Sequence, residues 1–170
     1  MINKLEKIVI VGGGSAGWMS AAFLKKSFPK KEVVVIESPN YPTIGVGEST
    51  LGGINNYLKY LEIDELEFMR ASNAVYKLSI KFTDFYQKGD GGFHYPFGRP
   101  YENGLPMNAW LFKKNAFPKT PVQDFVRCYF PAAPLIENNK IHMNEQGEFD
   151  NFNPESDIAY QIDAIKFAGY

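Results

Sequence analysis

The sequence predicts an α/β fold that opens with a βαβ unit and carries an aromatic- and proline-rich irregular insertion. Three observations predict it. Lys7-Ile8-Val9-Ile10-Val11 and Glu32-Val33-Val34-Val35-Ile36-Glu37 are short β-branched runs, the pattern of strands buried in a parallel sheet. Between them, a glycine cluster leads into a helix-forming stretch from Trp18 to Lys26, which Pro29 terminates. Finally, 14 aromatic residues lie between Tyr76 and Phe130, and seven of the 11 prolines lie between Pro96 and Pro134. That middle stretch is kinked and poor in helix, and packs around a core or lines an apolar cavity.

The elements follow in order. The first 37 residues form the βαβ unit, whose crossover is expected to be right-handed. Ser38 to Thr50 reads as a loop, with Pro39, Pro42, Gly45 and Gly47. Ile54, Tyr57, Leu58 and Leu61 repeat at helical spacing. A second short helix starts at Asp64, with Glu67 three residues on and Ile63 and Phe68 placed as a hydrophobic staple. Val75 to Phe85 alternates: Tyr76, Leu78, Ile80 and Phe82 point one way, Lys77, Ser79, Lys81 and Thr83 the other, as in one half-buried strand. Within 86–134 only Asn108 to Asn115 and Val122 to Tyr129 read as helix. Asn138 to Asn153 is polar and turn-like. Asp157 is expected to open a final helix with Ile158, Ile162 and Ile165 on one face. The expected organisation is 1–85 as the βαβ start with its following helices and strand, 86–156 as the irregular segment, and 157–170 as the start of a further helix. No strand follows to close a sheet, so the chain reads as the front part of a larger α/β protein.

Composition excludes several classes. Lysine plus arginine is 18, aspartate plus glutamate 19, and the net charge −1, without the basic surplus of a nucleic-acid or anionic-membrane binder. A single cysteine, Cys128, forms no internal disulfide framework and no multi-cysteine metal site. Two histidines, His94 and His142, make no histidine-rich metal centre. No apolar run approaches the ~20 residues of a membrane span. The apolar run near the N-terminus is too short for a signal peptide. The expected location is cytoplasmic.

Gly12-x-Gly14-x-x-Gly17 between a strand and a helix is the strongest motif. Gly12 permits the tight turn and Gly14 lets the backbone approach a pyrophosphate. Gly17 lets the helix lie close to the strand, so that its first peptide N–H groups, at Ser15 and Ala16 among others, face phosphates. Glu37 ends the second strand 20 residues after Gly17, where an acid binds ribose hydroxyls. A purely structural glycine turn is the alternative. The motif does not separate NAD from FAD, and Glu37 disfavours NADP. Pro42 to Thr50 is either a glycine-rich connector or a loop whose N–H groups face a cofactor. Lys77, on strand geometry alone, is a solvent-facing lysine beside Lys81. Buried, its amine would lose basicity and become a catalytic group.

Taken together, Gly12-Gly13-Gly14-Ser15-Ala16-Gly17-Trp18-Met19, Gly45-Val46-Gly47-Glu48-Ser49-Thr50, and Phe68-Met69-Arg70-Ala71 through Tyr76-Lys77-Leu78-Ser79-Ile80-Lys81-Phe82 resemble the flavin-dependent tryptophan halogenases. The likeness is good over 5–85, looser at Phe93 to Gly98 and Tyr160 to Ala164, and poor over 99–156. It implies the N-terminal part of a Rossmann-like FAD-binding fold of the glutathione-reductase and aromatic-hydroxylase type. It implies reduced FAD from a separate flavin reductase, chloride or bromide, and hypohalous acid relayed by Lys77 to an electron-rich aromatic such as tryptophan or indole. Lys77 would hydrogen-bond the hypohalous acid or carry the halogen as a haloamine. Gly45, Val46, Gly47 and Glu48 would form the strap between flavin and substrate. Phe97 falls where the family stacks an aromatic on its substrate, with Tyr95 or His94 near; simple core is the alternative for Phe97. A homodimer is a further expectation, and the family's downstream Trp-x-Trp-x-Ile-Pro motif is expected beyond residue 170. An FAD-dependent aromatic hydroxylase, which needs no lysine relay, and an inactive truncated nucleotide-binding fragment are the competing readings.

Overall fold

The computed structural model describes residues 5–40, 47–100, 108–121, 123–130, 132–149 and 153–170. The chain folds as two compact units, one of residues 1–76 with 160–170, the other of residues 77–159. The sequence pattern had placed its divisions at 85/86 and 156/157.

The first unit is built on β1 (Lys7–Val11), α1 (Ser15–Ser27) and β2 (Glu32–Ile36). β1 and β2 pair in parallel from Lys7↔Glu32 to Val11↔Ile36. Gly12 N donates to Ile36 O at 2.8 Å, continuing the pairing into the glycine turn. Both runs were expected to be buried on both faces. Instead burial alternates along β1, and Val9, Val11 and Ile36 are exposed. Among the described residues, α1 packs on this sheet from one side only. The crossover helix begins three residues before its expected start, because Ser15, Ala16 and Gly17 already form its first turn.

A second sheet completes the unit, in the order β3 (Glu48–Ser49), β7 (Ala159–Ile162), β4 (Val75–Lys77). Two helices lie between its strands in sequence, α2 (Gly53–Leu61) and α3 (Glu65–Ser72). The Asp64 carboxylate accepts from Glu67 N at 2.9 Å, so the capping signal forms as read. The core is aromatic. Phe68 is fully buried, edge-on to Tyr160 at 5.2 Å and to Phe167 at 5.7 Å. The Tyr160 hydroxyl donates to Glu65 Oε1 at 2.6 Å, and burial together with that carboxylate pushes its pKa up.

The expected helix from Asp157 is a strand followed by a shorter helix. Ile158 to Ile162 does match helical spacing, but here residues 159–162 pair with Glu48 and Ser49, and Ile158 is fully buried ahead of them. The helix is α7 (Ala164–Gly169), and its cap is Asp163, whose carboxylate accepts from Ile165 N at 3.0 Å and Lys166 N at 3.1 Å. Asp163→Ala is expected to cost about 1 kcal/mol, read as a lower urea midpoint.

The second unit holds an antiparallel hairpin of β5 (Ser79–Thr83) and β6 (Gly92–Pro96), then α4 (Ala109–Ala116), α5 (Gln123–Tyr129) and α6 (Ala133–Glu137). Asp84 organises the hairpin turn by accepting from Gly89 N and Gly91 N. The single strand expected over 75–85 is therefore broken at Leu78. Residues before it belong to one sheet and residues after it to another, and Leu78 O accepts from Phe97 N at 3.1 Å. β6 and α6 lie in the stretch read as irregular. α5 packs on β6 and α6 on α5, and Arg127 Nε clamps both Glu137 carboxylate oxygens at 3.0 and 3.3 Å. The aromatic stretch is only partly core: Phe112 is exposed on α4, whereas Tyr129 is buried.

Candidate active site

The glycine turn is built so that two positions exclude a side chain and two face open space. A Cβ on Gly17 would fall on Gly12 O, and one on Gly13 would fall inside the Glu37 carboxylate. At Gly12 and Gly14 a Cβ would meet nothing within 4 Å, and Gly12 has φ +116°. Gly12 makes the turn with a positive φ and Gly17 lies close against it, while Gly13 is a constraint the motif does not encode. Its signal is the acid itself: Glu37, immediately after β2, lies against the turn it was expected to serve.

Gly14 is the N-cap of α1 and has no side chain to occupy the first-turn amides; no acidic residue sits in that turn. Helix starts of this kind attract anions through their free N–H groups and the positive end of the dipole. Ser15 Oγ is buried and is the one such side-chain oxygen or nitrogen without a hydrogen-bond partner among the described residues. It lines a cleft of about 810 Å³ with Trp18, Tyr57, Leu61, Ile63 and Phe167. Open backbone at Gly14, uncapped amides, an unsatisfied hydroxyl and a nearby carboxylate fit a dinucleotide's diphosphate and ribose.

Of the strap, Gly45 and Val46 lie outside the described residues. Gly47 lies against Ile162 O, where a Cβ would come to 3.5 Å, and Glu48 pairs with Ile162 as the exposed start of β3. Thr50 closes this segment. Its N–H donates to Tyr160 O at 2.9 Å, and its hydroxyl accepts from Tyr160 N at 2.8 Å.

Lys77, the last residue of β4, has an aromatic neighbour. Its Nζ lies over the Phe97 ring, 5.1 Å from the centroid. The residue is half-buried, and burial pushes the amine below its ordinary range, while the ring face attracts the ammonium. The open-solvent reading of Lys77 does not hold. Phe97 is half-buried beneath it, whereas Tyr95 is 62% exposed on β6. Phe97 is followed by Gly98 at φ +84°, where a Cβ would strike the Asp157 carboxylate. That carboxylate is held by Asn153 N at 2.9 Å. Gly98→Ala combines a left-handed backbone with this collision and is expected to destabilise by about 1–3 kcal/mol, read by urea unfolding.

No group of three or more histidine, cysteine or acidic residues forms a metal site among the described residues. None of their helices is long and apolar enough to cross a membrane.

A glycine-turn βαβ unit, joined in the same chain to a hairpin with a lysine set over an aromatic ring, defines a mixed α/β protein with a nucleotide-type turn. Residues 7–170 match the model of the tryptophan halogenases, and the chain belongs to that family. It is 38% identical over 134 residues to tryptophan 6-halogenase SttH of Streptomyces toxytricini, covering 78% of this chain and 24% of that one. It is 33% identical over 186 residues to tryptophan 6-halogenase ThaL of Streptomyces albogriseolus, covering 100% of this chain and 34% of that one. Among solved structures, it superposes on the apo structure of VirX1 with a TM-score of 0.85 and 40% identity, over 98% of this chain and 32% of that one. The chain therefore spans about a quarter to a third of the length of these relatives.

Proposed function

We propose that the chain is the nucleotide-side and lysine-side part of a flavin-dependent halogenase acting on an electron-rich aromatic such as tryptophan or indole. FAD would be held by Gly12, Gly14, Ser15, Ala16, Gly17 and Glu37 on a Rossmann-like domain, with Gly45, Val46, Gly47 and Glu48 as the strap. Bound and reduced by a separate flavin reductase, it supplies the oxidation of chloride or bromide by O2 to hypohalous acid. Lys77 then either donates a hydrogen bond to the hypohalous oxygen or exchanges an N–H hydrogen for halogen, releasing water. In both modes the halogen passes as an electrophile to a ring carbon and the ring's proton is lost. Phe97, and Tyr95 beside it on the strand, would hold that ring.

The observation that supports this reading most is the half-buried Lys77 amine over Phe97 in a chain of this family. An amine against an aromatic face adjoins the surface on which a flat substrate stacks, and partial burial keeps a reactive halogen from bulk water. The cytoplasmic location and the homodimer belong to the same proposal.

The test supplies FAD, a flavin reductase, NADH, O2 and bromide or chloride, offers tryptophan, indole and phenols, and reads products by mass spectrometry. Halogenated product is expected. Product bearing oxygen in place of halogen would move the chain to the aromatic hydroxylases. Failure to retain FAD would remove the nucleotide site.

A further inference from the structure

The β5–β6 hairpin carries one aromatic face. Its register sets Ile80 against Tyr95 and Phe82 against Phe93, and the bond from Phe97 N to Leu78 O extends the pairing by one rung. Residues two apart on a strand share a face, so Phe97, Tyr95 and Phe93 lie in a row, with Ile80 and Phe82 beside them. The Lys77 amine over the Phe97 ring marks one end of the row. The other end is an aromatic cluster. Phe82 and Phe93 stack at 5.3 Å, and Phe85, just past β5, stands edge-on to them at 5.1 and 6.3 Å. Between these ends the face is open: Tyr95 is 62% exposed, and Phe85 is 71% exposed beyond it. Pro96, on the opposite face, is buried, and α5 packs on β6, so the helices occupy the other side of the hairpin. From Phe97 to Phe93 the row runs about 14 Å along an extended strand, well beyond the length of one indole.

We propose that this face is the substrate track of the lysine site, and that the substrate is an electron-rich aromatic bearing a second, uncharged aromatic ring. The reacting ring sits at Phe97 and the distal ring against Phe82, Phe85 and Phe93. The inference deepens the reading of Lys77 as the halogen relay by naming the substrate class, and rests on that reading for its meaning in catalysis. A contiguous exposed apolar strip of this kind marks a binding groove, and this one is continuous with the ring beneath the amine. None of the residues in the row is charged, and Lys81 and His94 pair on the opposite face. The ammonium and carboxylate of a free amino acid would find no partner along it, whereas a second ring would gain stacked and edge-on contacts beyond simple burial. A distal ring anchored at the far end also fixes which carbon of the reacting ring faces the amine, so that binding energy remote from the chemistry serves orientation.

The test reads binding to the 170-residue chain by calorimetry. The probes are 4-butylphenol and 4-(4-phenylbutyl)phenol, which differ only in the distal phenyl. The two-ring probe is expected to bind about tenfold more tightly. Phe85→Ser is expected to erase most of that gain and to leave the affinity for 4-butylphenol unchanged. Phe85→Tyr keeps a ring there and is expected to keep the gain. Tyr95→Ser, at a second exposed position in the row, is expected to weaken the two-ring probe as well, and stands in if a Phe85 variant does not fold. No gain in the wild-type chain overturns the proposal, as does a gain that persists in both serine variants or an equal loss in Phe85→Tyr. A dimer in sedimentation velocity that Phe85→Ser dissolves would give the face to a second copy and would also overturn it. A gain that behaves as expected beside a failed halogenation assay would remove the relay reading and leave the track standing. Halogenation of both phenols with equal kcat/KM and no gain in binding would do the reverse.

Discussion

Lys77→Ala is expected to lower halogenated product by about 10²–10³-fold, the usual effect of removing a donor aimed at the reacting group, while FAD retention stays at the wild-type level. The separation follows from the fold, since the glycine turn is in one unit and Lys77 begins the other. Flavin absorbance that co-purifies with the chain and product mass are read on the same preparation. Surviving halogenation would sink the relay. The pH profile then tells the two relay modes apart. The Lys77 amine titrates below its ordinary 10.5 because burial disfavours its charge. As pH rises through that lowered value the ammonium is lost, so a hydrogen-bond donor loses rate there and a haloamine carrier gains it. Lys77→Arg keeps a cation at any working pH, and is expected to preserve only the first mode.

Phe68→Ala is expected to be the most damaging single core change, costing about 3–5 kcal/mol. A small domain has only about 5–15 kcal/mol to lose. Phe68 is fully buried, and its ring holds Tyr160 and Phe167 edge-on. Truncation leaves a void between α3, β7 and α7, elements brought together from distant parts of the chain. Urea unfolding followed by circular dichroism should show the fall in midpoint. Phe68→Leu, which keeps most of the volume, should cost distinctly less. Equal effects from the two would mean that packing at this position is not what holds the unit together.

What was readable beforehand was local. The two β-branched runs, the glycine turn, the helical spacing of Ile54 to Leu61 and the Asp64 cap all depend on residues within a few positions of one another, and each formed. What was missed depends on distant partners. Ile158, Ile162 and Ile165 satisfy a helical spacing, and Asp157 and Asp163 are both good caps. Only pairing with Glu48 and Ser49, more than a hundred residues away, decides that the first half is strand. Alternation through Leu78 is equally blind to the change of sheet there. The candidate site divides in the same way. Gly12, Gly14, Gly17 and Glu37 were legible from spacing. The approach of Lys77 to Phe97 and the Asp157 carboxylate behind Gly98 depend on the hairpin register or on loop contacts, which the sequence alone leaves open.

The chain leaves the first unit after Tyr76 and re-enters it at Tyr160, on adjacent strands with the two rings 5.8 Å apart. Everything between them is spliced in at a single seam, the arrangement that lets a host tolerate large inserts, since closing a longer loop adds little entropic cost. The lysine-bearing stretch is in that sense a cassette. The host's aromatic centre and glycine turn are built without it.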